Sequence, residues 1–139
     1  MPAIESTRSG KGFPIVFIHG FCETSAMWYP YVQSLTDTYE IICPDLPGFG
    51  ASELIADNLT LEKVADTLAK ELQSEGIQHA VFIGHSLGGD VALALAQRHP
   101  QMIRGLGLFH SHALGDTDED KHKRAKALLF LEKHSVPKF

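Results

Sequence analysis

The sequence predicts an α/β protein: a parallel sheet with helices on both faces. Short apolar runs at residues 14–18, 39–43, 80–83 and 105–109 have the continuous hydrophobicity of strands buried on both sides. An amphipathic helical stretch and an Ala/Leu-rich one lie between them, as crossover connections require. The third run leads directly into Gly84-His85-Ser86-Leu87-Gly88-Gly89, a serine at a strand–turn–helix junction.

The first strand, Pro14 to Ile18, is bounded by Gly10-Lys11-Gly12 before it and Gly20 after it. The second, Tyr39 to Cys43, is stopped by Pro44, which cannot extend a ladder. Leu61, Val64, Ala65, Leu68 and Leu72 then fall on one face of a helix, with Thr60 placed to cap its start and Gly76 its end. Ala80 to Ile83 is the third strand, and residues 90–97 continue as a helix. Gly105 to Phe109 is the fourth. No internal repeat or low-complexity linker interrupts the chain.

In that context Gly-x-Ser-x-Gly has a physical meaning. A turn this tight drives the serine backbone to an unfavourable dihedral and requires small residues two positions to either side. Gly84 and Gly88 meet that demand. The Ser86 hydroxyl is lifted clear of the sheet, and the first amides of the new helix face whatever it attacks. The loop after the first strand, His19-Gly20-Phe21, has a glycine that lets the chain turn and frees the Phe21 amide to point inward. Paired with the Leu87 amide it would form an oxyanion hole, each donor contributing roughly 3–4 kcal/mol to a transition state.

Composition narrows the classes. The 139 residues are 44% hydrophobic, enough for one domain with a core. A net charge of −5 without a basic block argues against nucleic acid. Nothing approaches the roughly 18 consecutive apolar residues of a membrane span, and the N-terminus lacks a signal-peptide core. Cys22 and Cys43 have neither metal-ligand spacing nor disulfide density, so a cytoplasmic setting is expected. No Gly-x-Gly-x-x-Gly or Gly-Lys-Ser/Thr is present to hold a nucleotide.

Together, His19-Gly20-Phe21, Asp45-Leu46-Pro47-Gly48-Phe49-Gly50-Ala51-Ser52 and Gly84-His85-Ser86-Leu87-Gly88-Gly89 resemble the α/β-hydrolase superfamily over residues 13–113. The likeness is to its branch of small esterases, perhydrolases and carbon–carbon bond hydrolases. It implies Ser86 as nucleophile, Phe21 and Leu87 as oxyanion donors, and Gly20, Gly84, His85 and Gly88 as elbow and loop support. A serine in place of the aspartate used by dehalogenases and epoxide hydrolases implies acyl transfer on a small carboxylic ester. No metal or organic cofactor is implied.

His85 and His19 are expected to hydrogen-bond locally rather than to catalyse, and Asp45 to accept backbone N–H groups of its turn. Trp28 and Met27 either pack in the core or line an acyl pocket; Cys22 stays open between facing the site and filling space.

A serine needs a histidine base oriented by a carboxylate, in the chain order Ser, acid, His. The resemblance places that acid after a seventh strand, or in some relatives the sixth, and the histidine after an eighth. The chain is accordingly expected to be an incomplete hydrolase fold lacking the last two strands, nearly inactive alone. In the tail, beyond Phe109, come His110, His112, His122 and His134, with Asp116, Asp118, Glu119 and Asp120. The acid-then-base order of residues 116–126 and the apolar Ala125, Leu128 and Leu129 instead predict a helix. Residues 1–113 are thus expected to be hydrolase core, and 114–139 the start of a cap. An open sheet edge predicts a homodimer that covers it, if nothing else does. The competing class is a non-catalytic hydrolase-like binding or dimerisation module.

Overall fold

The computed structural model describes residues 3–134, without the side chains of Leu131 and His134. Five strands form one sheet in the order β1-β3-β2-β4-β5: β1 Ser6–Ser9, β2 Phe13–Ile18, β3 Tyr39–Pro44, β4 Ala80–His85 and β5 Ile103–Phe109. β2, β3, β4 and β5 are parallel, as expected. β1 is the correction: it pairs antiparallel with β3 at the edge, where the sequence reading placed no strand. Ser-Thr-Arg-Ser has no apolar residue to betray it, because an edge strand on the sheet rim needs none.

Side-chain alternation sends the two faces into separate clusters. Val16, Ile18, Ile42 and Phe82 meet Val64, Ala65, Leu68 and Leu72 of helix α2 (Leu61–Ser74) and Val91 and Leu95 of helix α3 (Leu87–Arg98). Ile15, Phe17, Ile41 and Cys43 meet Trp28 and Val32 on the other face, from a 3-10 turn (Ser25–Trp28) that runs into the short helix α1 (Tyr29–Val32). Trp28 is core: it is buried and its ring lies 5.1 Å from that of Phe17. Met27 is partly buried against the same cluster.

α2 has the ends its sequence announces. Thr60 Oγ1 accepts the Lys63 N–H at 3.2 Å. Gly76, at φ +86°, closes the other end, with Gly76 N–H bonded to Gln73 O and Ile77 N–H to Leu72 O. Helix α4 (Asp118–His134) forms where the charge order predicts it, started by reciprocal bonds between Thr117 and Asp120. Its Leu128 and Leu129 remain exposed.

Candidate active site

Parallel strands deliver their following loops to one end of the sheet, and the sequence motifs meet there. Ser86 lies between β4 and α3 at φ 51° and ψ −114°, a strained conformation for a residue with a Cβ. Neighbouring backbone holds it in place. Its N–H donates to the Phe109 carbonyl at 3.1 Å, and its own carbonyl accepts the Gly89 N–H at 2.9 Å and the Ser111 hydroxyl at 3.0 Å. The Ser86 side chain caps no amide of α3, so its hydroxyl is not spent on the helix it begins.

The turn's tightness is measurable at its glycines. A Cβ on Gly84 would sit 2.2 Å from the Gly88 carbonyl oxygen. One on Gly88 would sit 2.2 Å from Ile18 O and 2.6 Å from His19 O. The first turn of α3 is therefore pressed against the end of β2, where the His19-Gly20-Phe21 loop begins. On the outer side, a Cβ on Gly89 would strike the Ser111 hydroxyl at 2.2 Å.

His19 is fully buried, and burial lowers its pKa from the ordinary histidine value, which keeps the ring neutral. The neutral ring can use both nitrogens: Nδ1–H donates to Gly20 O at 2.7 Å, and Nε2 accepts the Leu46 N–H at 2.9 Å. His85 Nδ1 lies 2.9 Å from Glu23 Oε2, which also accepts the Gly20 N–H at 2.6 Å. Asp45 accepts the Ser25 N–H at 2.7 Å and the Ala51 N–H at 2.9 Å, fixing its Pro-Gly turn. Phe21 is 45% exposed and meets Phe49 edge-on at 5.9 Å. Cys22, at φ 59°, is exposed, and Cys43 is buried.

A cavity of about 90 Å³ opens at Ser86, lined by Asp90, His110, Ser111, His112, Asp116 and Arg124 among others. Burial pushes the Asp90 carboxyl up. Arg124 grips Asp116 with two nitrogens, at 2.7 and 3.2 Å. No histidine among the described residues hydrogen-bonds the Ser86 hydroxyl, and the His134 side chain lies outside them. Glu23 and Ser111 are site residues the sequence reading missed. Glu23 has a faint signal, three residues past Gly20 in a turn; Ser111 has none before β5 is placed.

A family profile described as "alpha/beta hydrolase fold" matches residues 14–126. The chain belongs to the α/β-hydrolase family. It is 39% identical over 107 residues to a 2-hydroxymuconate semialdehyde hydrolase of Pseudomonas sp. (strain CF600), covering 74% of this chain and 38% of that protein. It is 34% identical over 104 residues to a pimeloyl-[acyl-carrier protein] methyl ester esterase of Aeromonas hydrophila, covering 75% and 40%. Among solved structures, a thermophilic esterase from Thermogutta terrifontis superposes with a TM-score of 0.88 at 32% identity, over 95% of this chain and 49% of that one. This α/β-hydrolase chain thus spans half or less of the length of these relatives. The expected fold, an incomplete hydrolase sheet, is the fold observed. Among its described residues, no helix is long and apolar enough to cross a membrane.

Proposed function

We propose that this chain carries the nucleophile and oxyanion hole of a cytoplasmic serine hydrolase that cleaves a small carboxylic ester. The observation that carries the reading is Ser86 itself. A serine held at φ 51° between backbone clamps, its hydroxyl withheld from capping, is a costly arrangement that a structural turn does not need.

In this mechanism Ser86 Oγ attacks the ester carbonyl while a histidine takes its proton. The amides of Leu87, first in α3, and Phe21, just past Gly20, hold the tetrahedral oxyanion. The alcohol leaves with that proton. Water then attacks the acyl-enzyme with the same histidine as base, releasing the acid and Ser86. No described histidine is assigned as that base in this reading, and residues 114–139 begin the cap over the pocket. The similarity to an esterase and to a semialdehyde hydrolase supports the hydrolytic chemistry and leaves the scissile bond to experiment.

The test is fluorophosphonate labelling and p-nitrophenyl acetate turnover of the full-length protein. Both are expected in the wild type and lost in Ser86→Ala. Labelling that survives the substitution would place the nucleophile elsewhere; no labelling of the wild type would favour a non-catalytic binding module.

A further inference from the structure

Glu23 touches both halves of the candidate site. Its Oε2 accepts the Gly20 N–H at 2.6 Å and lies 2.9 Å from His85 Nδ1, the residue before Ser86. Its own N–H donates to Gly20 O at 3.3 Å, so side chain and backbone close the same short turn. Gly20 is small for that reason. A Cβ there would lie 2.9 Å from the Glu23 carboxylate, 3.0 Å from His85 Nδ1 and 3.1 Å from His85 O.

The consequence falls on the next peptide. Gly20 C=O is held by His19 Nδ1–H at 2.7 Å and by the Glu23 N–H, and the peptide it begins is trans and planar. The Phe21 N–H must therefore point opposite to that carbonyl. Any rotation at Gly20 swings the Phe21 amide, and that rotation is blocked only because both flanking peptides are anchored: the Glu23 carboxylate holds the Gly20 N–H on one side, while His19 Nδ1–H and the Glu23 N–H hold the Gly20 C=O on the other. A carboxylate is an unpromising neighbour for a site that gathers negative charge, since it opposes the oxyanion. Its presence beside Gly20 is accounted for by the clamp.

The geometry points to Glu23 as a positioning residue: its carboxylate ties the loop that carries the Phe21 amide to the elbow that carries Ser86. This inference rests on the serine-hydrolase reading above. Glu23 contacts no reacting atom, so it acts on transition-state geometry rather than on substrate affinity. Glutamine can make the same bridge without charge, its Oε1 taking the place of Oε2 and accepting from both the Gly20 N–H and His85 Nδ1–H.

The experiment measures kcat and KM for p-nitrophenyl acetate in the full-length wild type, Glu23→Ala, Glu23→Gln and Ser86→Ala. Glu23→Ala is expected to lower kcat about 10- to 100-fold with KM within about twofold, the loss that misplacement near 1 Å brings. Glu23→Gln is expected to recover most of it. An unchanged kcat in Glu23→Ala, or a loss confined to KM, overturns the inference while leaving the nucleophile intact. Activity that persists in Ser86→Ala removes the parent reading instead, and the inference with it. NMR supplies a readout that needs neither turnover nor the alanine variant to fold. The Gly20 amide proton, bonded to a carboxylate, is expected to move upfield in Glu23→Gln; an unmoved resonance overturns the clamp.

Discussion

Gly88→Ala isolates how firmly the elbow is seated. The added methyl would lie 2.2 Å from the Ile18 carbonyl oxygen, and real Cβ contacts stop at 3.0 Å, so something must move by at least 0.8 Å. Neither side is a flexible side chain. Ile18 ends β2, which lies between β3 and β4, and the methyl would ride on the first turn of α3. Overpacking of this kind costs about 1–3 kcal/mol, and backbone against backbone argues for the upper end. At about 2–4 °C per kcal/mol, the melting temperature should fall by about 6–12 °C. A comparable shift of the Leu87 amide relative to Ser86 should lower kcat about 100-fold. Two controls separate crowding from chain effects. Gly115→Ala meets nothing within 4 Å and should be neutral to about 0.5 kcal/mol. Gly76→Ala also meets nothing but sits at φ +86°, so it should cost about 1–2 kcal/mol with activity unchanged. Thermal scans and p-nitrophenyl acetate turnover of the three variants decide it. Gly88→Ala melting together with Gly115→Ala would refute the reasoning.

Three further perturbations test other parts of the structure. Asp45→Ala strands the buried Ser25 amide and releases the part-buried Ala51 one, and should cost about 1–3 kcal/mol by urea unfolding; a value under about 0.5 would mean that water replaces the carboxylate. Asp66, bonded to Arg98 and His99, has its pKa lowered from 3.8 to about 2. A depressed carboxyl stabilises fully above its unfolded value and loses that contribution as pH falls through its folded one. The gap in unfolding midpoint between wild type and Asp66→Asn should therefore be open at pH 7 and closed near pH 2; a gap independent of pH contradicts the ion cluster. Burial raises the Cys43 thiol to about 11, whereas Cys22 is exposed. Iodoacetamide at pH 8 should label Cys22 in the native protein and Cys43 only after unfolding, as read by mass spectrometry.

The parts of the fold that announce themselves in the sequence are those with a buried pattern. β2, β3, β4 and β5 carry apolar runs, and α2 carries both a stripe and its caps. β1 does not, because backbone pairing with β3 and the Arg8 ion pairs with Glu40 and Glu75, not apolar burial, hold it in the sheet. The elbow was legible for a steric reason: Gly84 and Gly88 leave room that a side chain would fill. Glu23 and Ser111 were not, because each acts through a contact with a residue distant in sequence, Glu23 with His85 and Ser111 with Ser86. Spacing encodes neighbours along one element; it does not encode which loop tips a sheet brings together.

The β5 edge of the described sheet lies beside the candidate site. β5 is the last strand in the order, and its glycines Gly105 and Gly107 stand beside Val81 and Ile83, which are only partly buried against the cluster that the α1 segment forms with β2 and β3. The buried Trp28 indole N–H, on that same face, has no hydrogen-bond partner among the described residues. β5 also ends at Phe109, whose carbonyl accepts the Ser86 N–H. A strand laid parallel to β5 would end beside that carbonyl, so the loop after it would emerge within a few residues of Ser86. On the proposed serine-hydrolase reading, packing and catalysis therefore share one demand: what covers this edge is also placed to bring the acid and, one strand further, the base.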